Sequence, residues 1–509
     1  MQRFFVPVIE NIKNGLWAYY LAMALLLASC SASQKNYSPV KKFSKAELQE
    51  DYTLLRNILE AKHPSLYWYT PKDSMDFYFD RYYNAIKDSM NELQFGWRVL
   101  APLTHQVHCG HTSFGMSKAY NKWINNKRLP SFPYFVRVWG DTMLVTGNLT
   151  RKDSIIKRGT VITSINGWRT KDLTRQMFNY MPVDGYAENV NYMRLGANFP
   201  YYHRNIMGLS RKYDITYLDS TGKELAISVP VFQPVADTSK KNEIRPLVKL
   251  TKAEKRQRRK AILYNKRFLQ IDTVNSTAVM TLNTFSGGRL RSFFRKTFKT
   301  LRKEGINNLV IDLRSNGGGK INLSTLLTKY VSRRSFKIAD TAIANAKTLR
   351  PYSRYIKNGF FNSIGLALFG KRQSDGRLHF RYFERKTYHP KQHNHFDSSV
   401  YVLINGSTFS ASTLFAAAVK GQPGITLVGE EAGGGWHGNT GVMIPDITLP
   451  NTKMRVRLPL VRIVQYQHVP KNGLGVMPDV YVPPSYEAFM QGYDKKLKVV
   501  QDLIKAGIK

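Results

Sequence analysis

Cysteine is nearly absent from this chain: Cys30 and Cys109 are the two in 509 residues. A cystine framework therefore cannot hold the fold. Acidic residues are also scarce, 35 Asp and Glu against 76 Lys and Arg, for a formal net charge of +41. That balance favours anionic surfaces such as phosphorylated lipid headgroups or polyanionic polysaccharide. The basic residues are spread along the whole chain, with no zinc-finger spacing and no aromatic RNA-binding motif. Nucleic acid is not an expected partner. The spaced glycines and Lys-Ser/Thr pair of a phosphate loop are missing too, and no cofactor is expected. What is present is a 43% hydrophobic, 12% aromatic composition, which argues against disorder and supports a large core in about two to four domains.

Arg3 and Lys13 precede an apolar run, Leu16 to Leu27, of signal-peptide length. A single membrane span is the competing reading, but the run falls short of the roughly 20 residues a span needs. Leu27-Ala28-Ser29-Cys30, followed by a polar stretch, resembles a bacterial lipobox. The resemblance implies that residues 1–30 are a signal peptide, that Cys30 receives the lipid, and that residues 31–43 are a linker. The expected address is extracytoplasmic, on a bacterial membrane, most naturally the outer one. With Cys30 acylated, Cys109 has no disulfide partner.

Ser44-Lys45-Ala46-Glu47 is a capping box, and Leu48, Tyr52, Leu55 and Leu59 follow at helical spacing. Further helical patterns make residues 44–118 an N-terminal helical domain. It ends in Thr104-His105-Gln106-Val107-His108-Cys109-Gly110-His111-Thr112, with three of the eleven histidines. These residue types suit zinc, or one histidine could serve as a general base; a polar turn is the plain alternative. Residues 125–235 read as a β-rich module with hairpins at Asn166-Gly167 and around Gly222. Its Gly159 to Gly167 phrase resembles the PDZ signature, which implies an edge that accepts an extended peptide. Residues 236–270 form a basic linker, whose Lys252 to Lys260 run is a solvated helix face or a patch for anionic lipid. Residues 271–495 hold an α/β core of two β-α-β units, with residues 332–396 an irregular insertion.

Within that core, Val400 to Ile404 is a buried strand, and Ala411 opens an Ala-rich helix. Ser410 therefore stands at a helix N-terminus, where free amides and the helix dipole favour negative charge. A serine there is either an N-cap or a nucleophile whose oxyanion the amides would hold. Two glycine-rich loops accompany it, Asn316 to Gly319 and Gly433 to Gly435. Glycines let backbone amides approach a ligand closely.

Three ordered phrases resemble the C-terminal-processing (tail-specific) family of serine peptidases: Ile311 to Gly319, Thr408 to Ser412, and Gly475-Val476-Met477-Pro478-Asp479. The resemblance covers about residues 275 to 485. It implies a crotonase-like α/β core, Ser410 as nucleophile, and an oxyanion hole from the amides of Ala411 and Gly318. One branch of the family uses a lysine where this chain has Gly435. The other, tricorn-like branch uses an N-terminal histidine, here His111, and a glutamate just before the final phrase, here Asn472. An amide can orient a histidine but cannot stabilise imidazolium by charge. Asp479 is expected to be structural. The expected activity is cleavage of unfolded or extended polypeptides. The competing readings are a catalytically weak or inactive peptide-binding lipoprotein of the same fold, and a zinc protein using His105, His108, Cys109 and His111.

Overall fold

The computed structural model describes residues 37–125, 127–150, 155–234, 250–466 and 468–507. Cys30 and the rest of the segment expected to be a signal peptide, residues 1–30, lie outside them.

Alternating apolar residues in strand Ser399–Ile404 have to be buried on both sides, because every residue of it is apolar, aromatic or small. It sits inside a six-stranded sheet. Thr277–Leu282, Asn308–Asp312, Ser399–Ile404 and Ile425–Gly429 run parallel in chain order, with Arg267–Asp272 antiparallel at one edge and Val480–Tyr481 at the other. One face packs Leu309, Ile311, Val400, Val402 and Ile404 against helices Leu290–Lys303, Ile321–Val331 and Ala411–Val419. The other face places Val310, Tyr401 and Leu403 against the closing helix Lys495–Lys505 through Val500. The period of two along each strand thus serves two cores.

That closing helix is tied down by charge. Lys496 Nζ meets Glu430 Oε2 at 2.6 Å, with both side chains buried. Replacing Lys496 by Met strands a buried carboxylate next to the second glycine loop. Such single-partner losses cost about 3–5 kcal/mol. Chemical denaturation of Lys496→Met should show a loss of that order; a change below about 1 kcal/mol would mean the pair contributes little.

A second, five-stranded sheet runs in the order Lys371–Arg372, Leu378–His379, Ala339–Ala344, Val461–Gln465, Gly438–Val442. It corrects the expectation that residues 332–396 are irregular. Ala339–Ala344 pairs with Val461–Gln465, more than a hundred residues downstream, so no local pattern announces it. The helices Lys45–Lys62, Lys72–Asn84 and Ala101–Gln106 share one apolar core with this sheet. Ser44 caps the first of them with its capping box in place. Asp51 fastens it to the turn that joins strands Asp446–Thr448 and Arg455–Arg457, accepting from the Asn451 and Thr452 amides and from Thr452 Oγ1 at 2.6 Å.

The third unit is an antiparallel sheet of Tyr134–Trp139, Thr142–Asn148, Val161–Ile165, Lys212–Leu218 and Glu224–Pro230, with Trp168–Arg169 added through the Asn166-Gly167 turn. Both turn residues have positive φ, 49° and 79°, as a tight hairpin of this kind requires. Helices Thr170–Phe178 and Asn189–Ile206 close its core. The second is kinked at Asn198, with Pro200 inside it, which hid it from a reading by periodicity. The run Lys252–Tyr264 is a helix with no buried residue, in agreement with a solvated face.

Candidate active site

After Ile404 the chain turns sharply, and side-chain hydrogen bonds hold the turn. Asn405 Oδ1 accepts the Ser407 amide at 2.9 Å, Thr408 Oγ1 donates to Leu313 O at 3.1 Å, and Thr413 Oγ1 donates to Thr408 O at 3.0 Å. The turn delivers Ser410 with φ 56° and ψ −121°, a conformation costly for a residue with a Cβ. A serine used only as a cap adopts ordinary extended dihedrals and bonds an amide of the first turn. Ser410 makes no side-chain cap bond. Ala411 is the first residue of the helix, so its N–H has no intrahelical acceptor.

Two glycines press against this turn. Gly318 has φ +99°, and a Cβ on it would stand 2.7 Å from Phe409 O, 2.7 Å from Ser410 Cβ and 3.0 Å from the Ala411 nitrogen. Its own N–H donates to Asn316 Oδ1 at 3.0 Å. An oxyanion at this spot would compete with that carboxamide for the proton. Gly434 approaches from the other loop, where a Cβ would meet Thr413 Oγ1 at 2.4 Å and the Ser410 nitrogen at 3.3 Å. Gly435, the place of the lysine in the other branch, is buried, and a Cβ there would stand 2.5 Å from Gly438 O. A lysine does not fit.

His111 comes to the same place from the N-terminal segment. Its imidazole lies on the ring of Phe409, the residue before Ser410, with centroids 4.7 Å apart. Gly441 closes another edge, with a hypothetical Cβ 3.1 Å from Nε2. Burial, then Arg457 and Arg194, pushes the His111 pKa down to about 3. The ring is therefore neutral at ordinary pH, the form in which a general base starts. Its Nδ1 is buried with no hydrogen-bond partner.

Sequence reasoning passed over Asp184, a buried carboxylate that folding brings next to His111. Asp184 is buried beside His111: one oxygen accepts the Gly110 amide at 2.6 Å, while Oδ2 has no hydrogen-bond partner. Burial raises its pKa to about 6, against the lowering effect of the Gly110 and Gly435 amides. A ring nitrogen of His111, a carboxylate oxygen of Asp184 and Cys109 Sγ lie within 4.8 Å of one another. These are the residues that could hold a metal here, and they are not the four expected from the histidine cluster. His105 Nδ1 pairs with Met181 O and His108 Nδ1 with Gly185 O, both at 2.8 Å, so two of that set are committed elsewhere. Burial lifts the Cys109 thiol to about 12, which keeps it protonated and a poor ligand.

Asn472 is exposed, and its Oδ1 accepts the Leu474 amide at 3.0 Å in a local turn. Among the described hydrogen bonds none joins it to His111. Asp479 fixes the sheet edge, accepting from the Leu427 amide at 2.8 Å and Lys420 Nζ at 2.5 Å. Cys30 lies outside the described residues. A cleft lined by Trp97, Phe114, Met181, Tyr202, Arg455 and Arg457 opens at Gly110, next to His111.

Residues 276–482 match the family model of peptidase family S41. No curated protein sequence matches the chain. Among solved structures, mature CPAF superposes with a TM-score of 0.63 at 14% identity, over 91% of this chain and 99% of that one. CPAF complexed with lactacystin gives 0.62, with the same identity and coverage. A putative peptidase from Parabacteroides merdae, also 14% identical, covers 91% of this chain and 97% of its own, at 0.44. The matched segment holds the Ser410 turn and both glycine loops; residues 276–482 are a peptidase family S41 domain, and the protein is a serine peptidase.

Proposed function

We propose that Ser410 is the nucleophile, His111 its general base, and Asp184 the carboxylate that positions and charges the base. The observation that carries this reading is the packing of the His111 ring against Phe409, 4.7 Å between centroids, beside the strained turn that holds Ser410. Neutral His111 takes the Ser410 proton as the hydroxyl oxygen attacks a peptide carbonyl. The tetrahedral oxyanion is held by the Ala411 amide and by the Gly318 amide once it leaves Asn316 Oδ1. Imidazolium then returns the proton to the departing amine, and water releases the acyl group by the same steps. Asp184 lowers the cost of the imidazolium through Nδ1. The two unpartnered atoms, His111 Nδ1 and Asp184 Oδ2, support that role.

The substrates in this reading are unfolded or extended polypeptides, entering along the cleft at Gly110. Its three arginines, Arg194, Arg455 and Arg457, favour acidic segments. The core is crotonase-like, supported by four successive parallel strands with crossing helices. Residues 125–235 are a PDZ-like module and residues 44–118 a helical domain. The protein works outside the cytoplasm, anchored through lipid on Cys30.

A fluorophosphonate probe tests the nucleophile directly. Wild-type protein should label, and Ser410→Ala should not, while both melt at the same temperature. Equal labelling of the two removes Ser410 from the mechanism.

A further inference from the structure

Helix Gly359–Phe369, in the segment that carries no catalytic group, has its polarity inverted. In an ordinary surface helix the apolar stripe faces the core. Here Phe360, Ile364, Ala367 and Leu368, at i, i+4, i+7 and i+8, all face outward. Phe361 and Phe369 extend that face. Phe360, Phe361, Leu368 and Phe369 are each 67–73% exposed. Apart from Leu366, the inward side is small and polar. A Cβ on Gly359 would stand 2.2 Å from Ser353 O, and Ser363 Oγ donates to Gly359 O and accepts the Leu349 amide. Only Gly359 and Leu366 are buried. The helix is thus fastened down by close backbone approach and hydrogen bonds, which leaves its apolar residues to water. Six neighbouring apolar side chains left to water form one contiguous patch, the kind of surface that marks an interaction site.

Charge says what covers it. Between Asp340 and Asp375 there is no acidic residue, while Lys347, Arg350, Arg354, Lys357, Lys371 and Arg372 are all exposed. Lys357 stands just before the helix, and Lys371 and Arg372 just after it. An apolar face whose flanking chain carries only cations fits an anionic bilayer surface, where aromatic and aliphatic side chains enter the acyl boundary and Lys and Arg meet headgroups. A protein groove of matching polarity would need a rim of acids, and a second copy of this chain would set like charges against each other. At 11 residues the helix cannot span a bilayer, which needs about 20. It can lie in the interface.

We propose that Gly359–Phe369 docks flat on an anionic lipid surface, as a membrane contact separate from any lipid on Cys30. It would hold the insertion face of the enzyme against the bilayer.

The test uses the full chain with Cys30→Ser, so that the single accessible thiol is placed by Leu368→Cys and carries a nitroxide; Cys109 is buried. With vesicles of phosphatidylglycerol and phosphatidylcholine, collisions of the label with a water-soluble nickel chelate should fall about tenfold and collisions with oxygen should rise. Pure phosphatidylcholine, or half-molar salt, should leave the label exposed. Adding Lys371→Gln and Arg372→Gln should raise the lipid needed by about thirtyfold, at roughly fivefold per basic residue. A label that stays open to the chelate while the protein sediments with anionic vesicles overturns the proposal. So does failure to sediment at all, and so does label–label broadening without lipid, which would seat a second copy on the face.

Discussion

Gly318→Ala should lower kcat by roughly 10²–10³ and leave the protein folded, the range expected for loss of one oxyanion donor. Two features require glycine there. The φ of +99° strains any residue with a Cβ, and that atom would fall 2.7 Å from Ser410 Cβ and 3.0 Å from the Ala411 nitrogen. Something must shift, and what can shift is the nucleophile or the amide beside it. The neighbouring Gly317 provides the control. It is exposed, and a Cβ on it would meet nothing within 4 Å. Gly317→Ala should therefore keep near wild-type turnover, although it shortens the same run of glycines. The comparison separates two ideas of why the loop is glycine-rich. If flexibility of the whole run were the reason, both variants would lose activity alike. If close approach is the reason, Gly318 matters and Gly317 does not. Peptide hydrolysis by the two purified variants decides it, and equal rates for Gly318→Ala and wild type would remove Gly318 from the site.

The parts of the site that could be read from the chain are those made by continuous segments. A buried strand, a polar turn and an Ala-rich helix announce the Ser410 turn, because the elements that build it are adjacent in sequence. The glycine loops are legible for the same reason. His111 stood out by its company of histidines and by a resemblance, not by any local sign that its ring reaches Phe409. Asp184 could not be found this way. It sits in Met181-Pro182-Val183-Asp184-Gly185, a segment whose pattern says loop, and only folding carries it to His111. A weak signal existed: an acid buried among Met, Pro and Val must find a partner. Asn472 shows the opposite error. Its place in the chain suited a partner for His111, yet an asparagine two residues before an amide closes its own turn first. Helix Gly359–Phe369 was equally opaque, since an apolar run reads as buried until the structure shows which side faces water.

Asp184→Asn should reduce kcat by about 10⁴ with KM little changed, the scale known when a buried carboxylate behind a catalytic imidazole becomes an amide. The substitution is nearly isosteric, and its remaining oxygen can still accept the Gly110 amide, so the local fold should survive. Its new N–H group would face His111 Nδ1 and force the ring proton onto Nε2, the atom that has to accept from serine. The pH profile gives the sharper reading. The active form needs ionised Asp184 and neutral His111. His111, pushed down to about 3, is already neutral through the acid range. Asp184, raised to about 6, is not ionised below that pH. Wild-type kcat/KM should therefore fall as pH drops through about 6, because the proton gained there, shared by the buried pair, silences the base. In Asp184→Asn that group no longer titrates, so the acid limb near 6 should vanish from whatever activity remains. A merely structural role would lower the rate without moving the limb. Retention of the limb at its wild-type pH would assign the titration to another group and take Asp184 out of the triad.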